Sequence, residues 1–572
     1  MKSLSYLLLF GLILSACQEP TKTFQAPLLE NIGSYEVKVS TSSPDAQKFF
    51  NQGIIMANNF NHFEAERSFR EAVRLDPDFA MGYWGIAYVL GPNFNSAASL
   101  GDIEAIRKAA SEASKLSEKS SPWEKAVIEA IAIKFPADAT ISNDEGFSQA
   151  MEKSYQDFPE NSFVATLYAE SVMNLHPWDF YEKRGGEPRA WTPPLVSLLE
   201  KVIEIDPQNP LANHLYLHAT EASGKLERAE IIAEKLKDLV PAAGHLVHMP
   251  SHIYINTGDY HEGSLANERA VLADSTYIAE CKAQGYYPQM YFTHNYHFLA
   301  ATSAFEGRAS RSIEAAFKTA NLVEPEYWFE PGLEMVQHYM TIPYHILVKF
   351  AQWEKIQALP IPDEKLIYPQ AIWHYAQGMR LAENGKLAEA EEELNLLIAL
   401  SQDTTIAEQM NWGINKVTEV CQIASKVLKA KILSKEGQFD EAKSLLAEAI
   451  LIEDNLNYNE PPDWFFSVRH ILGNLNLQTG DFEDAERIYR EDLYNWPKNG
   501  FALSGLQSSL IAQGKQGEAD EIQKQFDKAW KYSEVTLKGS EIDPTKRENV
   551  AIRIEQDSPK EVIYLAAALC LR

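Results

Sequence analysis

Histidine carries the chemical signal in this sequence. Eight of its 14 histidines, His214, His218, His245, His248, His252, His261, His294 and His297, fall within residues 214–297, where an even spread would put about two. Within that stretch the spacings are three and four: His214 with His218, His245 with His248 and then His252, His294 with His297. Residues so spaced stand on one face of an α-helix. His214 with His218, and His248 with His252, are i,i+4 pairs able to chelate an ion alone. Imidazole with a few carboxylates, and no thiolate nearby other than Cys281, suits zinc, iron, nickel or copper better than calcium or magnesium. The competing use of the same row is a polar groove that binds a peptide or small acid through protonatable imidazoles.

Such a row needs repeated helices to carry it, and the sequence has them. Residues 44–77 carry Gly53, Ala65, Phe69, Ala72 and Pro77, and Gly473, Ala485, Tyr489 and Pro497 repeat the offsets. These match the small-residue, aromatic and proline positions of the tetratricopeptide pattern, about 34 residues long. Weaker copies centre on Gly378, Ala390 and Leu394, on Ala430, Ala442 and Leu446, and on Leu217, Ala229 and Pro241. Small residues let two helices of a hairpin approach, and proline stops the second. Thr257-Gly258-Asp259, Asn384-Gly385-Lys386, Glu436-Gly437-Gln438 and Thr479-Gly480-Asp481 read as hairpin corners. No segment alternates long enough for a sheet, apart from a short extended piece over Tyr35 to Ser40. The expected fold is all-α, a tetratricopeptide-like α-solenoid of stacked helix hairpins.

On this register, with Leu217, Ser251 and Ala300 eighth in the first helix of their pairs, His214, His248 and His297 share the fifth position. His218 and His252 share the ninth, His245 and His294 the second. Glu170 falls near the ninth position one repeat earlier and Glu221 at the twelfth of the His214 helix, which adds two carboxylate candidates. The metal set expected is therefore His214, His218, His245, His248, His252, His294, His297, Glu170 and Glu221. His338, His345 and His470 are secondary, and His261 reads as exposed in the turn after Gly258. Aromatics such as Trp84, Tyr88, Trp178, Trp328 and Trp412 read as packing between repeats. Gly91-Pro92-Asn93-Phe94-Asn95 ends a first helix and reads equally as a plain helix stop or as a segment presenting asparagine amides toward the row. Two insertions interrupt the repeats, one from Pro177 to Pro194 and one from about Ser275 to Gln289.

The strings Trp84-Gly85-Ile86-Ala87, Gly91-Pro92-Asn93, Pro177-Trp178-Asp179, the run from His245 to Tyr254 and His294-Asn295-Tyr296-His297 resemble a group of bacterial tetratricopeptide lipoproteins with histidine-rich motifs. That resemblance covers roughly residues 44–363 and brings no catalytic residue with it. The tetratricopeptide resemblance implies that second, fifth and ninth positions face the concave groove, so the histidines would line the surface such solenoids use for binding a peptide or protein.

At the N-terminus Lys2 precedes an apolar run from Leu4 to Leu14 that ends in Leu14-Ser15-Ala16-Cys17. The run is too short for a permanent membrane span. It resembles a lipoprotein signal, with Cys17 diacylated as the first mature residue and the protein exported to the bacterial envelope, anchored by lipid. Cys281, Cys421 and Cys570 have unrelated spacings, which argues against a disulfide framework. The formal charge of -28, from 80 acidic against 52 basic residues, would repel phosphate backbones, so nucleic acid is not an expected partner. The expected organisation is a signal peptide over 1–16, a tether over 17–43, a histidine-bearing solenoid over 44–363, further repeats over 364–533 and capping helices over 534–572. No serine elbow, phosphate loop, dinucleotide fingerprint or His-Glu-x-x-His helix is present. The functions left open are a solenoid with a metal-binding groove, a metal-free scaffold and a metal-dependent hydrolase or oxidoreductase.

Overall fold

A computed structural model describes residues 26–96, 101–138, 140–283 and 285–546, and they form one helical hairpin after another. Neighbours in sequence are neighbours in space: Pro44–Asn58 packs on His62–Leu75, Ile367–Glu383 on Leu387–Ser401, Val417–Lys435 on Phe439–Asn455. Local chemistry starts these helices. The Ser43 side chain accepts from the Ala46 amide and Pro44 occupies the first turn, while Asn161 and Asn209 cap Ser162–Leu175 and Pro210–Thr220. The small positions of the repeat are required by contact. A Cβ at Gly53 or Gly85 would stand 2.6 or 2.5 Å from the Phe69 ring, and one at Gly473 or Gly505 would stand 2.5 or 2.1 Å from Tyr489.

The interior divides into contiguous apolar clusters. The largest runs from Ile255 to Ile542 and crosses residue 363 without a break, so repeats on both sides of that position share one core. The chain also closes on itself. The Arg184 guanidinium lies 3.9 Å over the Trp496 ring, Tyr260 donates to the Pro497 carbonyl at 3.0 Å, and Lys498 pairs with Asp259 at 2.8 Å. Late repeats therefore lie against the helices that carry the histidines.

Several sequence expectations change. Residues 26–43 are not a free tether: Gln52 bonds to both Leu29 and Pro27, Ser40 to Glu124, and Thr41 to Asp76. Tyr35 to Ser40 is no strand, because side chains of Asn51 and Gln47 take the Val37 and Val39 amides that a ladder would use. The expected loop from Ser275 is helical as far as Cys281, since Tyr260–Cys281 continues through it. Capping helices expected from Glu534 are replaced, over residues 534–546, by a two-residue hairpin (Leu537–Lys538 with Glu541–Ile542) and a 3-10 turn. Cys17, the signal run and the apolar stretch Val562 to Leu571 lie outside the described residues. No described helix is long and apolar enough to cross a membrane.

Candidate metal centre

Three helices bring six imidazoles together. Pro210–Thr220 supplies His214 and His218, and Thr293–Phe305 supplies His294. His245, His248 and His252 come from Gly244–His248 and Pro250–Thr257. These two pieces are one helical path, since Met249 between them is itself helical, and Pro250 only removes an amide from the ladder. A π-type turn, Pro288–Phe292, precedes His294, a feature frequent at functional sites.

The six rings form two triads. His214, His218 and His245 have ring centroids 4.8, 5.0 and 6.2 Å apart. His248, His252 and His294 have theirs 4.8, 4.8 and 5.6 Å apart. In each triad one nitrogen per ring lies within 4.8 Å of the others. All six are buried except His294, which is half-buried.

Four of the rings are held through Nδ1 by acceptors. His214 Nδ1 meets the Asn58 carbonyl at 2.8 Å, which can only accept, so the proton sits on Nδ1. His248 Nδ1 meets Asn267 Oδ1 at 2.6 Å, and Asn267 is oriented by its own amide donating to the Gly263 carbonyl. His218 Nδ1 lies 3.2 Å from Glu221 Oε2, and His252 Nδ1 lies 3.1 Å from the same oxygen and 2.7 Å from Glu460 Oε2. With Nδ1 so engaged, the Nε2 lone pairs are free to face inward. His214 Nε2 lies 3.2 Å from His245 Nε2, and His248 Nε2 lies 3.0 Å from His252 Nε2. His218 Nε2 and His245 Nδ1 have no hydrogen-bond partner.

Burial, followed by mutual repulsion, holds His214, His245, His248 and His294 well below the ordinary imidazole range, so these rings are neutral. Burial also lowers His218, against the pull of Glu221. At His252 burial is outweighed by Glu221 and Glu460 and the ring is raised. The two carboxylates diverge. Burial alone would raise both; Glu221, facing two imidazoles, ends lowered, whereas Glu460, facing one imidazole and repelled by Glu221, ends raised.

Not every expected ligand is here. His297 turns away, toward His338 at 5.7 Å and Phe465 at 5.7 Å, with neither ring nitrogen bonded. Sixty degrees of helical rotation separates it from His294. Glu170 belongs to none of the groups; Tyr88 donates to it at 2.6 Å, and it sits with Lys134. Glu221 stays among the candidates, because with His218 and His252 it forms a third group whose ligand atoms lie within 4.8 Å of one another, and its Oε2 also accepts from their Nδ1 atoms. His345 packs on Trp464, and His470 sits between Lys349 and Asp492 at 2.9 Å from each. His261 is not simply exposed, since it bonds Glu306 at 2.8 Å and stacks on Tyr532 at 3.6 Å.

Two features had no sequence signal. Glu460 lies 208 residues from His252 in the chain and reaches it only because the late repeats fold back. Asn58 and Asn267 act through a carbonyl and an amide that any residue pattern would hide. The expected open groove is also absent at this place. Tyr458 and Glu460 lie over it, with Asn256 donating to both. What remains is a chamber of about 150 Å³ bordered by His218, His245, His252 and His294 and walled by aromatics including Trp178, Tyr291 and Trp412. Asn95 borders it too and donates to Tyr291 at 2.7 Å. Trp178 and Trp412, read in the sequence as packing between repeats with a few of the aromatics facing the groove, thus border the chamber.

The scaffold is of the tetratricopeptide type. A tetratricopeptide repeat profile matches residues 423–455, one hairpin of the late repeats. No curated protein matches the chain. Among solved structures, the human IFIT1 dimer with m7Gppp-AAAA is 13% identical and covers 86% of this chain and 91% of its own, with a TM-score of 0.31. Yeast Tom70 is 13% identical and covers 84% and 96%, with a TM-score of 0.29. The Cut9-Hcn1 hetero-tetramer of the APC/C is 14% identical and covers 86% and 74%, with a TM-score of 0.28. At that distance the likeness concerns helical repeats alone.

Proposed function

We propose that this protein is an exported, lipid-anchored tetratricopeptide solenoid that holds a transition metal in its buried histidine cluster and presents it to a small molecule in the adjoining chamber. The observation that carries the reading is the approach of His248 Nε2 to His252 Nε2, and of His214 Nε2 to His245 Nε2, where His248, His252 and His214 have their other nitrogens held by acceptors. Each contact is a nitrogen pair bridged by one proton in the metal-free protein, and a metal ion would take that proton's place. Fixed Nδ1 partners are what a metal-bound histidine requires. Zinc, iron, copper and nickel all accept imidazole sets of this kind.

Each triad supplies three nitrogens, one short of a closed tetrahedral shell. A vacancy facing a chamber favours chemistry, hydrolytic or oxidative, over a structural ion. The chamber, walled by aromatics beside the imidazoles, suits a small, partly aromatic molecule.

The experiment is elemental analysis of the mature protein, purified without affinity tag or chelator, beside a variant carrying both His248→Ala and His252→Ala. Metal is expected in the parent and at a lower ratio per chain in a variant that still melts cooperatively. No metal in a folded parent, even after reloading, would leave a metal-free scaffold as the account. Anchoring rests on the Leu14-Ser15-Ala16-Cys17 sequence; labelled fatty acid should enter the parent and not Cys17→Ser, and equal labelling would remove the lipid assignment.

A further inference from the structure

We infer that the centre is dinuclear: one ion in the His214, His218, His245 triad and a second in the His248, His252, His294 triad, with Glu221 as the anion shared between them. The inference rests on the metal reading above and deepens it.

Ring spacing is the first argument. With metal–nitrogen bonds of about 2.0–2.1 Å and tetrahedral angles, the ring centroids of two imidazoles on one ion stand about 5 Å apart. Both triads show that spacing internally, from 4.8 to 6.2 Å in the first and from 4.8 to 5.6 Å in the second. The triads are joined face to face, His218 to His252 at 5.3 Å and His245 to His248 at 5.6 Å. The six rings thus make one contiguous cluster that offers two three-nitrogen sets.

Charge is the second argument. Two divalent ions in a buried site need compensating anions. Glu221 Oε2 is 3.2 Å from a ring nitrogen of the first triad and 3.1 Å from one of the second, so a single carboxylate orients a ligand of each ion. A single ion held by His218, His252 and Glu221 would use the same carboxylate, so the number of ions bound decides between the two arrangements. Glu460 supplies a second carboxylate at His252. The chamber meets two rings from each triad, so both ions would face the same small space.

The test is stoichiometry on the full mature chain loaded with Zn(II) alone and desalted. The parent is expected to hold two ions per chain, His245→Ala and His294→Ala one each, and the variant with both none. Glu221→Gln is expected to keep two ions with affinity reduced about 10- to 100-fold. Circular dichroism melts of the metal-free variants check folding; where an alanine variant fails to fold, the glutamine replacement at that position takes its place. Cu(II) added to the parent gives a second readout. One equivalent should show a mononuclear resonance, and a second should bring dipolar broadening and a half-field line that neither single variant shows. One ion in the parent, lost in both single variants, or two ions surviving either single variant, overturns the dinuclear assignment while the metal reading stands. No ion in a folded parent overturns both.

Discussion

At the corners of the late repeats, left-handed backbone falls on glycines in open space. Gly385, Gly437, Gly480 and Gly514 have φ of 75°, 82°, 87° and 75°, and a Cβ there would meet nothing within 4 Å. Around the histidine chamber it falls on large aromatics: Phe60 at 54°, Trp178 at 62° and Trp412 at 56°. Phe60 lies 4.8 Å from His214 and 5.0 Å from His245, Trp178 lies 5.0 Å from His218, and Trp412 lines the chamber. Bulky side chains in this region cost roughly 1–3 kcal/mol each and persist only where surrounding structure holds them. The regular glycine corners carry no such cost, and although Asn31, Lys282, Ala351 and Lys498 are also left-handed, the bulky aromatic cases all stand at the chamber. The Pro250 interruption and the π-type turn before His294 belong to the same place.

If the strained region is a metal centre, removing metal should be the largest perturbation available. With metal at about 1,000 times its dissociation constant, each ion would add about 4 kcal/mol of stability; calorimetry with and without chelator should show the fall in Tm, and an unchanged melt would break the contrast. A regular hairpin should respond to packing alone. Gly505→Val, which drives a branched side chain into Tyr489, should cost about 3 kcal/mol in urea unfolding and leave metal content unchanged.

A third comparison uses pH. Asp274 is buried beside the turn that leads to His294, accepting from Tyr287 and Asn295 at 2.7 Å each, and burial raises its carboxyl to about 7 despite those two bonds. A raised acid favours the folded state at low pH, and that stability is lost as pH rises toward the folded value. Between pH 5 and 8 the parent should lose on the order of 2 kcal/mol that Asp274→Asn does not, at about 1.4 kcal/mol per pH unit up to 7; equal slopes in urea titrations would count against it. The smallest effect should be Gly437→Ala, about 1 kcal/mol for an αL alanine at an open corner, read from Tm with metal content again unchanged.

Much of this was legible in the chain, for physical reasons that differ by residue. Gly53, Phe69, Gly473 and Tyr489 announce hairpins because close approach and ring packing are local and recur with the repeat. His214, His218, His245, His248 and His252 were legible as a row because helix geometry fixes which residues share a face. His294 and His297 show the limit: the same register put both in the row, but a three-residue step turned one toward the cluster and the other toward His338 and Phe465.

The sequence by itself determined the helices, their hairpin pairing and the stripe of imidazoles, because each depends on contacts between residues close in the chain. Tertiary structure alone decided that the stripe would be covered rather than open. It also decided that two triads would face each other, and that Glu460 would cross from a distant repeat to His252. Those outcomes depend on how small rotations between successive hairpins accumulate and bring the late repeats back, which no local pattern of residues records.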